Sequence, residues 1–395
     1  MKKIVIIGGG ASGMVAAISA KKENNEVIIL EKNNILGKKI LATGNGRCNY
    51  FNEIQDVSKY SSTTPKLLKE IISIENINMV LDFFNSLGII PKIKNGYYYP
   101  YSNKSENIKK ILEDKIKDLG IKVKYNFNIE DISYDNKFII KGNDIVEADS
   151  LIISTGGMAS PITGSTGDGY DFAKKFNHRV IKPRPALTYL KGNDKLQSIW
   201  AGIRVDAKVS LIFNDEVVDT EEGELQLTKN GLSGICIFNL STQAIEEEAK
   251  SVEIGINFMP FIEPIMAVEF FKQRKEENCI KVLEGFLNLK LIKAFTEILN
   301  IKEDAKIEEV DIPSLIKLLT DYRFKVEGHG SFEDSQTTSG GVSLEEVNRQ
   351  TFASLKQENL YLTGELLDVS GKCGGYNLTF AWISGISAGL DASIN

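Results

Sequence analysis

The sequence is poor in the residues that hold metals and disulfides. Its 395 residues include two histidines, His178 and His329, and four cysteines that form no C-x-x-C pair and follow no regular spacing. A disulfide framework or a zinc site needs more of these residues at closer spacing. The composition therefore excludes a disulfide-rich secreted domain, and we expect no metal site.

Long apolar runs are also missing. No stretch approaches the roughly 18 apolar residues that a membrane helix needs. The apolar run after the initial Met-Lys-Lys ends in glycines after four residues, which predicts a first strand and not an export signal. We therefore expect no membrane association, and a reducing, cytoplasmic compartment as the default.

The chain has no general excess of positive charge. Its net charge of -6 argues against capture of nucleic acid by the whole chain. Two segments are nevertheless basic: residues 38–124 hold 15 Lys and Arg against 9 Asp and Glu, and residues 174–195 hold seven basic residues and one acid. A solvated surface is the ordinary interpretation, and a local nucleic-acid patch is the alternative.

A strong nucleotide-binding pattern is present at the start of the chain. Four apolar residues lead into Gly8-Gly-Gly10-Ala-Ser-Gly13, and a second apolar stretch ends at Glu31. A strand, a G-x-G-x-x-G turn, a helix and a strand ending in an acid make up the dinucleotide fingerprint. We expect Gly8 to form the turn, Gly10 to let backbone approach a pyrophosphate, Gly13 to allow close helix packing, and Glu31 to bind a ribose.

A second glycine-rich segment follows the predicted ribose-binding acid. It reads Gly37-Lys-Lys-Ile-Leu-Ala-Thr-Gly-Asn-Gly-Arg-Cys-Asn49. Such a loop offers donors where the phosphates and ring of a cofactor would lie, and Arg47 is a candidate phosphate partner. Cys48 is either redox-active or, more ordinarily, a small packed residue.

Periodicity predicts the elements between the motifs. Residues 64–88 read as one helix, and residues 91–101 as a hairpin whose tyrosines either line a substrate face or pack across the strands. Alternating segments at 122–125, 129–134 and 138–141 predict a β-meander. A buried strand then ends in Thr155-Gly-Gly157, and residues 338–342 predict a glycine turn.

Together these motifs resemble the bacterial BaiN/RdsA (YhiN-like) family of NAD(P)/FAD-dependent oxidoreductases, also described as aminoacetone-oxidase-like flavoproteins. The resemblance covers essentially the whole chain. It also rests on Thr163-Gly-Ser-Thr-Gly-Asp-Gly-Tyr170, Gly231-Leu-Ser-Gly234, Gly340-Gly-Val342, and Gly364-Glu-Leu-Leu-Asp368 with Gly374-Gly-Tyr-Asn377.

The resemblance implies an α/β fold with a Rossmann-like FAD-binding domain built from both chain ends. A β-barrel-like part and a helical part are inserted in it. The implied boundaries are 1–188 and 335–395 for the FAD-binding domain, 189–260 and 323–334 for the β-rich insert, and 261–322 for the helical insert, where helical periodicity also appears.

The implied activity is an NADH- or NADPH-driven hydride transfer through flavin N5 to an activated C=C acceptor. Two alternatives stay open: a dihydrouridine synthase acting on large-subunit ribosomal RNA, and an oxygen-dependent amine or aminoketone oxidase. Only one full dinucleotide fingerprint is present, so the nicotinamide would bind transiently. The expected partners are thus a small-molecule or nucleobase acceptor, and ribosomal RNA under the first alternative.

The resemblance also implies the cofactor-binding residues, while catalytic residues stay unassigned, with Cys373, Tyr376 and Lys39 as candidates. Two positions depart from the family pattern: Lys229 replaces a histidine, and Cys373 replaces a threonine. The predicted FAD contacts are Gly8, Gly10, Ala11, Ser12, Gly13, Glu31, Lys32, Lys38, Lys39, Thr43, Gly44, Asn45, Gly46, Arg47, Cys48, Asn49, Ile129, Thr155, Gly156, Gly157, Asp168, Gly341, Gly364, Glu365, Asp368, Gly374, Gly375, Tyr376, Asn377 and Leu378.

Overall fold

A computed structural model describes residues 1–246 and 251–394. The chain divides into two compact units: Met1–Ala186 with Ser335–Asn395, and Leu187–Asp334. The three-part domain assignment given above stays a prediction. Its ranges include residues 247–250 and residue 395, which lie outside the described residues.

Strands and helices alternate through most of the chain. Up to residue 186 they are β1 (Lys2–Ile7), α1 (Ala11–Ala20), β2 (Asn25–Leu30), α2 (Lys38–Ala42), β3 (Phe51–Asn52), β4 (Tyr60–Ser61), α3 (Leu68–Ile71), α4 (Ile74–Ser86), β5 (Pro91–Lys94), β6 (Tyr97–Pro100), α5 (Ser105–Asp118), β7 (Lys122–Lys124), β8 (Ile129–Asp135), β9 (Lys137–Gly142), β10 (Ile145–Ala148), β11 (Ser150–Ile153), α6 (Asp168–Lys175) and β12 (Val180–Ala186). In the second unit they are β13 (Leu190–Lys191), α7 (Gln197–Trp200), β14 (Ile203–Phe213), β15 (Glu216–Leu227), β16 (Gly231–Ser233), α8 (Ile235–Glu246), β17 (Val252–Asn257), α9 (Pro264–Lys272), α10 (Cys279–Glu284), α11 (Leu289–Leu299), α12 (Ile312–Thr320), β18 (Tyr322–Lys325) and β19 (Gly328–His329). The first unit then resumes with β20 (Thr337–Val342), β21 (Leu360–Leu362), β22 (Ser370–Gly371) and α13 (Tyr376–Ala392).

A parallel sheet in the order β21-β11-β1-β2-β7 forms the centre of the first unit. β1 lies in the middle and is buried from Ile4 to Ile7, as expected for a strand covered on both faces. α1 and α13 pack closely together because α13 carries glycine where the helices meet. A Cβ on Gly385 would lie 2.3 Å from the Ser12 carbonyl oxygen. The predicted α/β fold with a Rossmann-like core is confirmed.

The predicted meander is shifted by one strand. β7 is parallel to β2 and forms the edge of the central sheet, so the prediction that it belongs to the meander is wrong. The meander is β8, β9 and β10, in the sheet order β10-β9-β8. Sequence alternation cannot distinguish a parallel edge strand from a meander strand, because both are half-buried.

Two other local predictions need correction. The helix predicted over residues 64–88 is broken, because Ser73 adopts an extended conformation and its side chain caps α4 by accepting from the Asn76 N–H. Residues 338–342 form most of the buried strand β20, antiparallel to β12, instead of a turn. Gly340 and Gly341 have positive φ of 82° and 125°, so β20 is irregular where the sequence suggested a turn.

The second unit contains an antiparallel sheet in the order β18-β17-β14-β15-β16-β13-β19. Its own hydrophobic core includes Trp200, Phe271, Phe295 and Phe324, which are fully buried. Within the described ranges, no helix of either unit combines the length and apolarity needed to span a bilayer.

Candidate cofactor site

A large cleft in the first unit opens where β1, β2 and β11 end. Its volume is about 1420 Å³, counted with its open mouth. Ligands of doubly wound sheets bind at the carboxyl ends of the strands, so this is the expected place for a dinucleotide. The predicted residues that line it are Gly8, Gly10, Ala11, Ser12, Glu31, Lys32, Lys38, Lys39, Thr43, Ile129, Thr155, Gly156, Asp168, Glu365, Asn377 and Leu378.

The three glycines of the fingerprint have different structural roles. Gly8 has a φ of 95°, and a Cβ there would lie 2.5 Å from the Ser154 carbonyl oxygen. A Cβ on Gly13 would lie 1.9 Å from the Gly8 carbonyl oxygen, so both glycines are required by packing. A Cβ on Gly10 would meet nothing within 4 Å. Gly10 therefore leaves open space at the N-terminus of α1, which has no side-chain cap.

Glu31 is held firmly at the end of β2. Its Oε2 accepts from the Gly9 N–H at 2.7 Å, and its Oε1 accepts from the backbone N–H and the side-chain amide of Asn33 at 2.7 and 2.8 Å. The residue is buried yet lines the cleft. Because a carboxylate has about four acceptor sites, it can still accept from a ribose hydroxyl.

Lys32 and Asp168 form an ion pair at the cleft. The Lys32 Nζ lies 2.7 Å from Asp168 Oδ2 and donates to Thr166 Oγ1 at the same distance. Burial acts to raise the pKa of Asp168, but the hydrogen bonds from Lys32 and Thr166 outweigh it and hold the pKa below its ordinary value. The segment that starts α6 is thereby fastened to the end of β2.

Glu365 is the centre of a second polar group in the cleft. Its Oε2 pairs with the Lys39 Nζ at 2.6 Å, and its Oε1 accepts from the Thr338 N–H and hydroxyl at 3.0 and 2.9 Å. Lys39 also donates to the Ala159 carbonyl oxygen at 3.2 Å. Gly157 lies beside this group, since a Cβ there would be 2.4 Å from Thr338 Oγ1. The predicted carboxylate after β21 therefore does reach the cleft.

The N-terminus of α13 also faces the cleft. Gly375 precedes the helix with a φ of 94°, and no side chain caps it. Asn377 and Leu378, in the first turn, line the cleft. The positive end of this helix dipole is thus directed at the cleft, in addition to that of α1.

Other predicted residues lie outside the lining. Arg47 is exposed, Cys48 is fully buried, and Asp368 accepts from the Thr63 N–H at 2.9 Å instead of facing the cleft. The predicted residues that the structure does not bring to the cleft lining are Gly13, Gly44, Asn45, Gly46, Arg47, Cys48, Asn49, Gly157, Gly341, Gly364, Asp368, Gly374, Gly375 and Tyr376.

The three catalytic candidates occupy different surroundings. Lys39 is in the ion pair with Glu365, and the buried Tyr376 packs edge-on against Tyr60 with ring centroids 5.6 Å apart. Cys373 is partly exposed, with its Sγ 3.9 Å from the Gln336 Oε1, and Gln336 lines the cleft. Their assignment as catalytic residues stays a prediction.

Sequence reasoning missed several residues of the lining. The predicted contacts include only Asp168 from the motif of residues 163–170, although Thr163 to Thr166 also line the cleft. The other missed residues lie partly in strands and helices, such as Leu30 in β2 and Phe380 in α13, and partly in loops, and Gly9 belongs to the fingerprint itself. The residues missed are Ile7, Gly9, Leu30, Asn33, Ile35, Gly37, Ile40, Phe127, Asn128, Ser154, Thr163, Gly164, Ser165, Thr166, Phe172, Gln336, Thr337, Val369, Phe380 and Ala381.

The lining fits FAD. Thr337 lines the cleft, and its buried Oγ1 has no hydrogen-bond partner among the described residues, so a ligand could satisfy it. The open space at Gly10, two uncapped helix N-termini and three lysines suit an anionic dinucleotide. In the part of the chain that the structure describes, no group of His, Cys, Asp and Glu is suited to a metal ion.

Comparison with known proteins agrees with this description of the fold. The sequence matches the family described as HI0933-like protein Rossmann domain over residues 2–391. It is 35% identical over 374 residues to the 3-dehydro-bile acid delta(4,6)-reductase of Clostridium scindens, covering 92% of this chain and 91% of that protein. It is 27% identical over 370 residues to the ribosomal RNA dihydrouridine synthase of Haemophilus influenzae, covering 91% and 90%.

Among solved structures, the 3-ketosteroid delta1-dehydrogenase of Sterolibacterium denitrificans superposes with a TM-score of 0.53 at 11% identity, covering 100% of both chains. At this identity the likeness concerns the fold alone. The family match spans nearly the whole chain and agrees with the resemblance of the motifs. The chain therefore belongs to the HI0933-like Rossmann family of BaiN/RdsA type.

Proposed function

We propose that this chain uses FAD to pass hydride from NADH or NADPH to an activated C=C bond of a small-molecule acceptor. The observation that carries the proposal is the 35% identity, over nearly the full length of both proteins, to a relative named as a bile acid delta(4,6)-reductase. The broader class, an FAD-dependent oxidoreductase of this family, is confirmed. The acceptor and the nicotinamide donor are the proposed part.

FAD, when bound, supplies a ring that can take up a hydride and release it again. The chain's own residues bind and orient it. Glu31 would accept from a ribose, the N-terminus of α1 beside Gly10 would hold the pyrophosphate, and Glu365, held by Lys39, would accept from the polyol chain. The N-terminus of α13 would favour negative charge on the ring.

We also propose that the first unit is the FAD-binding domain and that the second unit contributes to binding of the acceptor. The first unit contains every residue of the cleft lining. The second unit has a core of its own, and none of its described residues lines the cleft. The division of the second unit into a β-rich part and a helical part, residues 261–322, belongs to this proposal.

Action on uridine in ribosomal RNA is the second candidate function. It is favoured by the 27% identity to the Haemophilus influenzae relative and by the basic composition of residues 38–124. The lower identity makes it the alternative. In this alternative, the acceptor at the same cleft is a uracil base of the RNA.

The test is anaerobic reduction of the purified, flavin-containing protein with NADH and with NADPH, followed by addition of a 3-oxo-4-ene steroid acid. We expect bleaching by a nicotinamide, and reoxidation of the flavin together with loss of the enone absorbance. Hydrogen peroxide produced from an amine without nicotinamide would instead indicate an oxidase. Loss of dihydrouridine from ribosomal RNA in a deletion strain would establish the second candidate.

A further inference from the structure

The hairpin of β5 and β6 presents lysines and tyrosines on one face. In its antiparallel register Lys92 lies opposite Tyr99, and Lys94 lies opposite Tyr97. Opposed residues project to the same side of a sheet. These four residues and Arg47, whose loop borders them, are called the hairpin face below.

The opposite side of the hairpin is fixed to the core. Tyr98 packs edge-on against Phe51 and Tyr50, with ring centroids 5.2 and 6.3 Å apart. The turn residues Asn95 and Gly96 have positive φ of 52° and 79°, which suits a tight two-residue hairpin. Cross-strand packing therefore accounts for Tyr98 and makes the hairpin a firm support for the residues on the other side.

The hairpin face borders the two glycine loops that lead into the cofactor cleft. The Tyr99 Cε1 atom is 3.9 Å from the position of a Cβ on Gly44, and the Tyr97 Cε1 atom is 2.8 Å from that of a Cβ on Gly374. The loop of Gly44 begins at cleft-lining Thr43, and that of Gly374 leads to the cleft-lining first turn of α13. The hairpin face therefore borders loops that lead to the cleft, and its own residues lie outside the cleft lining.

The charges of the hairpin face are not neutralised within the protein. Lys92, Lys94 and Arg47 are exposed, and none of them forms an ion pair with a described residue. The acid found near the turn is Glu53, whose Oε2 is 3.8 Å from the position of a Cβ on Gly96. Lys92 and Lys94 therefore place two positive charges on the same side of the hairpin, in a chain whose net charge is -6.

We propose that the hairpin face binds the anionic group of the acceptor, and that the acceptor is an organic anion with an apolar or aromatic body. This proposal rests on the proposed function and names its substrate class. Lys92 and Lys94 are two residues apart on a strand, roughly 7 Å, which suits one carboxylate, sulfonate or phosphate. Tyr99 offers its ring and hydroxyl group to the body of the same molecule.

The size of the face favours a small anion over a polynucleotide. β5 and β6 have four residues each, so the face holds one or two anionic groups. A single-stranded nucleic acid requires a groove that follows several phosphates. RNA is therefore the competing occupant that the experiment must distinguish.

The experiment compares two probes that differ only in charge: anilinonaphthalene sulfonate and its uncharged parent, N-phenylnaphthylamine. Binding of each to the flavin-containing protein is titrated by fluorescence for the native chain and for the variants Lys92→Gln/Lys94→Gln and Tyr99→Leu. The matched control is Lys66→Gln/Lys69→Gln, which removes two exposed lysines from another part of the first unit that form no ion pair within residues 1–246 and 251–394.

Loss of charge-assisted hydrogen bonds to an anion is expected to weaken sulfonate binding about tenfold in Lys92→Gln/Lys94→Gln. Binding of the uncharged probe should be unchanged there and weakened in Tyr99→Leu. The control should bind both probes like the native chain. Equal effects on both probes, or none in Lys92→Gln/Lys94→Gln, would overturn the proposal.

A short single-stranded oligouridine serves as the probe for the competing occupant, RNA. If it binds with a dissociation constant that rises steeply with salt, and Lys92→Gln/Lys94→Gln abolishes this binding but not sulfonate binding, the occupant is a polynucleotide and the proposal is wrong. The proposed function is tested separately: it fails if the native chain does not reduce the enone. The probe titrations do not depend on turnover.

Discussion

Lys39 and Glu365 are 326 residues apart in the chain, and their side chains meet in the cleft with 2.6 Å between Nζ and Oε2. They are 26% and 18% exposed, so the pair is largely shielded from water. Glu365 is also held by Thr338. This pair joins the two parts of the chain that build the cofactor site.

Lys39→Met is expected to destabilise the apoprotein by about 2 kcal/mol, because it leaves the Glu365 carboxylate without its cation. The free energy of unfolding in urea measures this. Glu365→Gln combined with Lys39→Met should recover part of the loss, which identifies the pair as the cause. Lys38→Met is the control, since Lys38 also lines the cleft but forms no ion pair with a described residue. An equal loss in the control would contradict the prediction.

Gly10→Ala and Gly13→Ala should separate cofactor binding from folding. The Cβ of Gly10→Ala meets no protein atom within 4 Å, so we expect stability within about 0.5 kcal/mol of the native chain but loss of FAD, since the methyl group enters the open space at α1. The Cβ of Gly13→Ala would be 1.9 Å from a backbone oxygen, so we expect about 3 kcal/mol of destabilisation. Thermal unfolding of the apoproteins and flavin content after reconstitution measure the two effects. Normal flavin content in Gly10→Ala would show that the cofactor lies elsewhere.

His178 should make the stability of the first unit depend on pH. Its side chain is fully buried, its Nε2 is 2.7 Å from the Ser354 Oγ, and its Nδ1 is 3.4 Å from Glu346 Oε2. Burial lowers the pKa of His178, and Lys356 adds to this, while Glu346 acts in the opposite direction. The folded chain therefore binds a proton less readily than the unfolded chain, whose histidine pKa is about 6.5.

The free energy of unfolding should thus fall as the pH decreases through about 6.5, and should become level again below the folded pKa of His178. Urea titrations between about pH 8 and pH 5 test this, with His178→Gln as the comparison. The variant should lose the slope in this range. Glu346, whose pKa is lowered despite its burial, contributes only at more acidic pH. A native chain with no slope would refute the prediction.

The four thiols should differ sharply in reactivity. Cys48, Cys236 and Cys279 are fully buried, and burial raises the pKa of Cys48 to about 12 against an opposing hydrogen bond with Thr43. Cys373 is partly exposed. Ellman's reagent should therefore modify one thiol in the folded protein at pH near 8 and all four in urea. Cys373→Ser should abolish the native reaction, and rapid reaction of a second thiol would contradict the prediction that Cys48, Cys236 and Cys279 are protected by burial.

Local sequence motifs were enough to predict several features of this structure. The sequence predicts β1, the glycine turn and Glu31 correctly, because all three belong to one strand-turn-helix-strand unit. This unit fits within about thirty residues, so its pattern is local. The Asn95-Gly96 turn likewise predicted its hairpin correctly. The family resemblance then indicated that the dinucleotide is FAD and that both ends of the chain build its domain.

Tertiary structure decided the rest, since it depends on contacts between distant residues. Pairing with β2 made β7 an edge of the central sheet, and pairing with β12 made β20 a strand. Folding also brought Glu365 into the cleft and turned Asp368, three residues later, towards Thr63. No local pattern separates two nearby carboxylates in this way, because Lys39 and Thr63, to which they bond, lie 326 and 305 residues earlier in the chain.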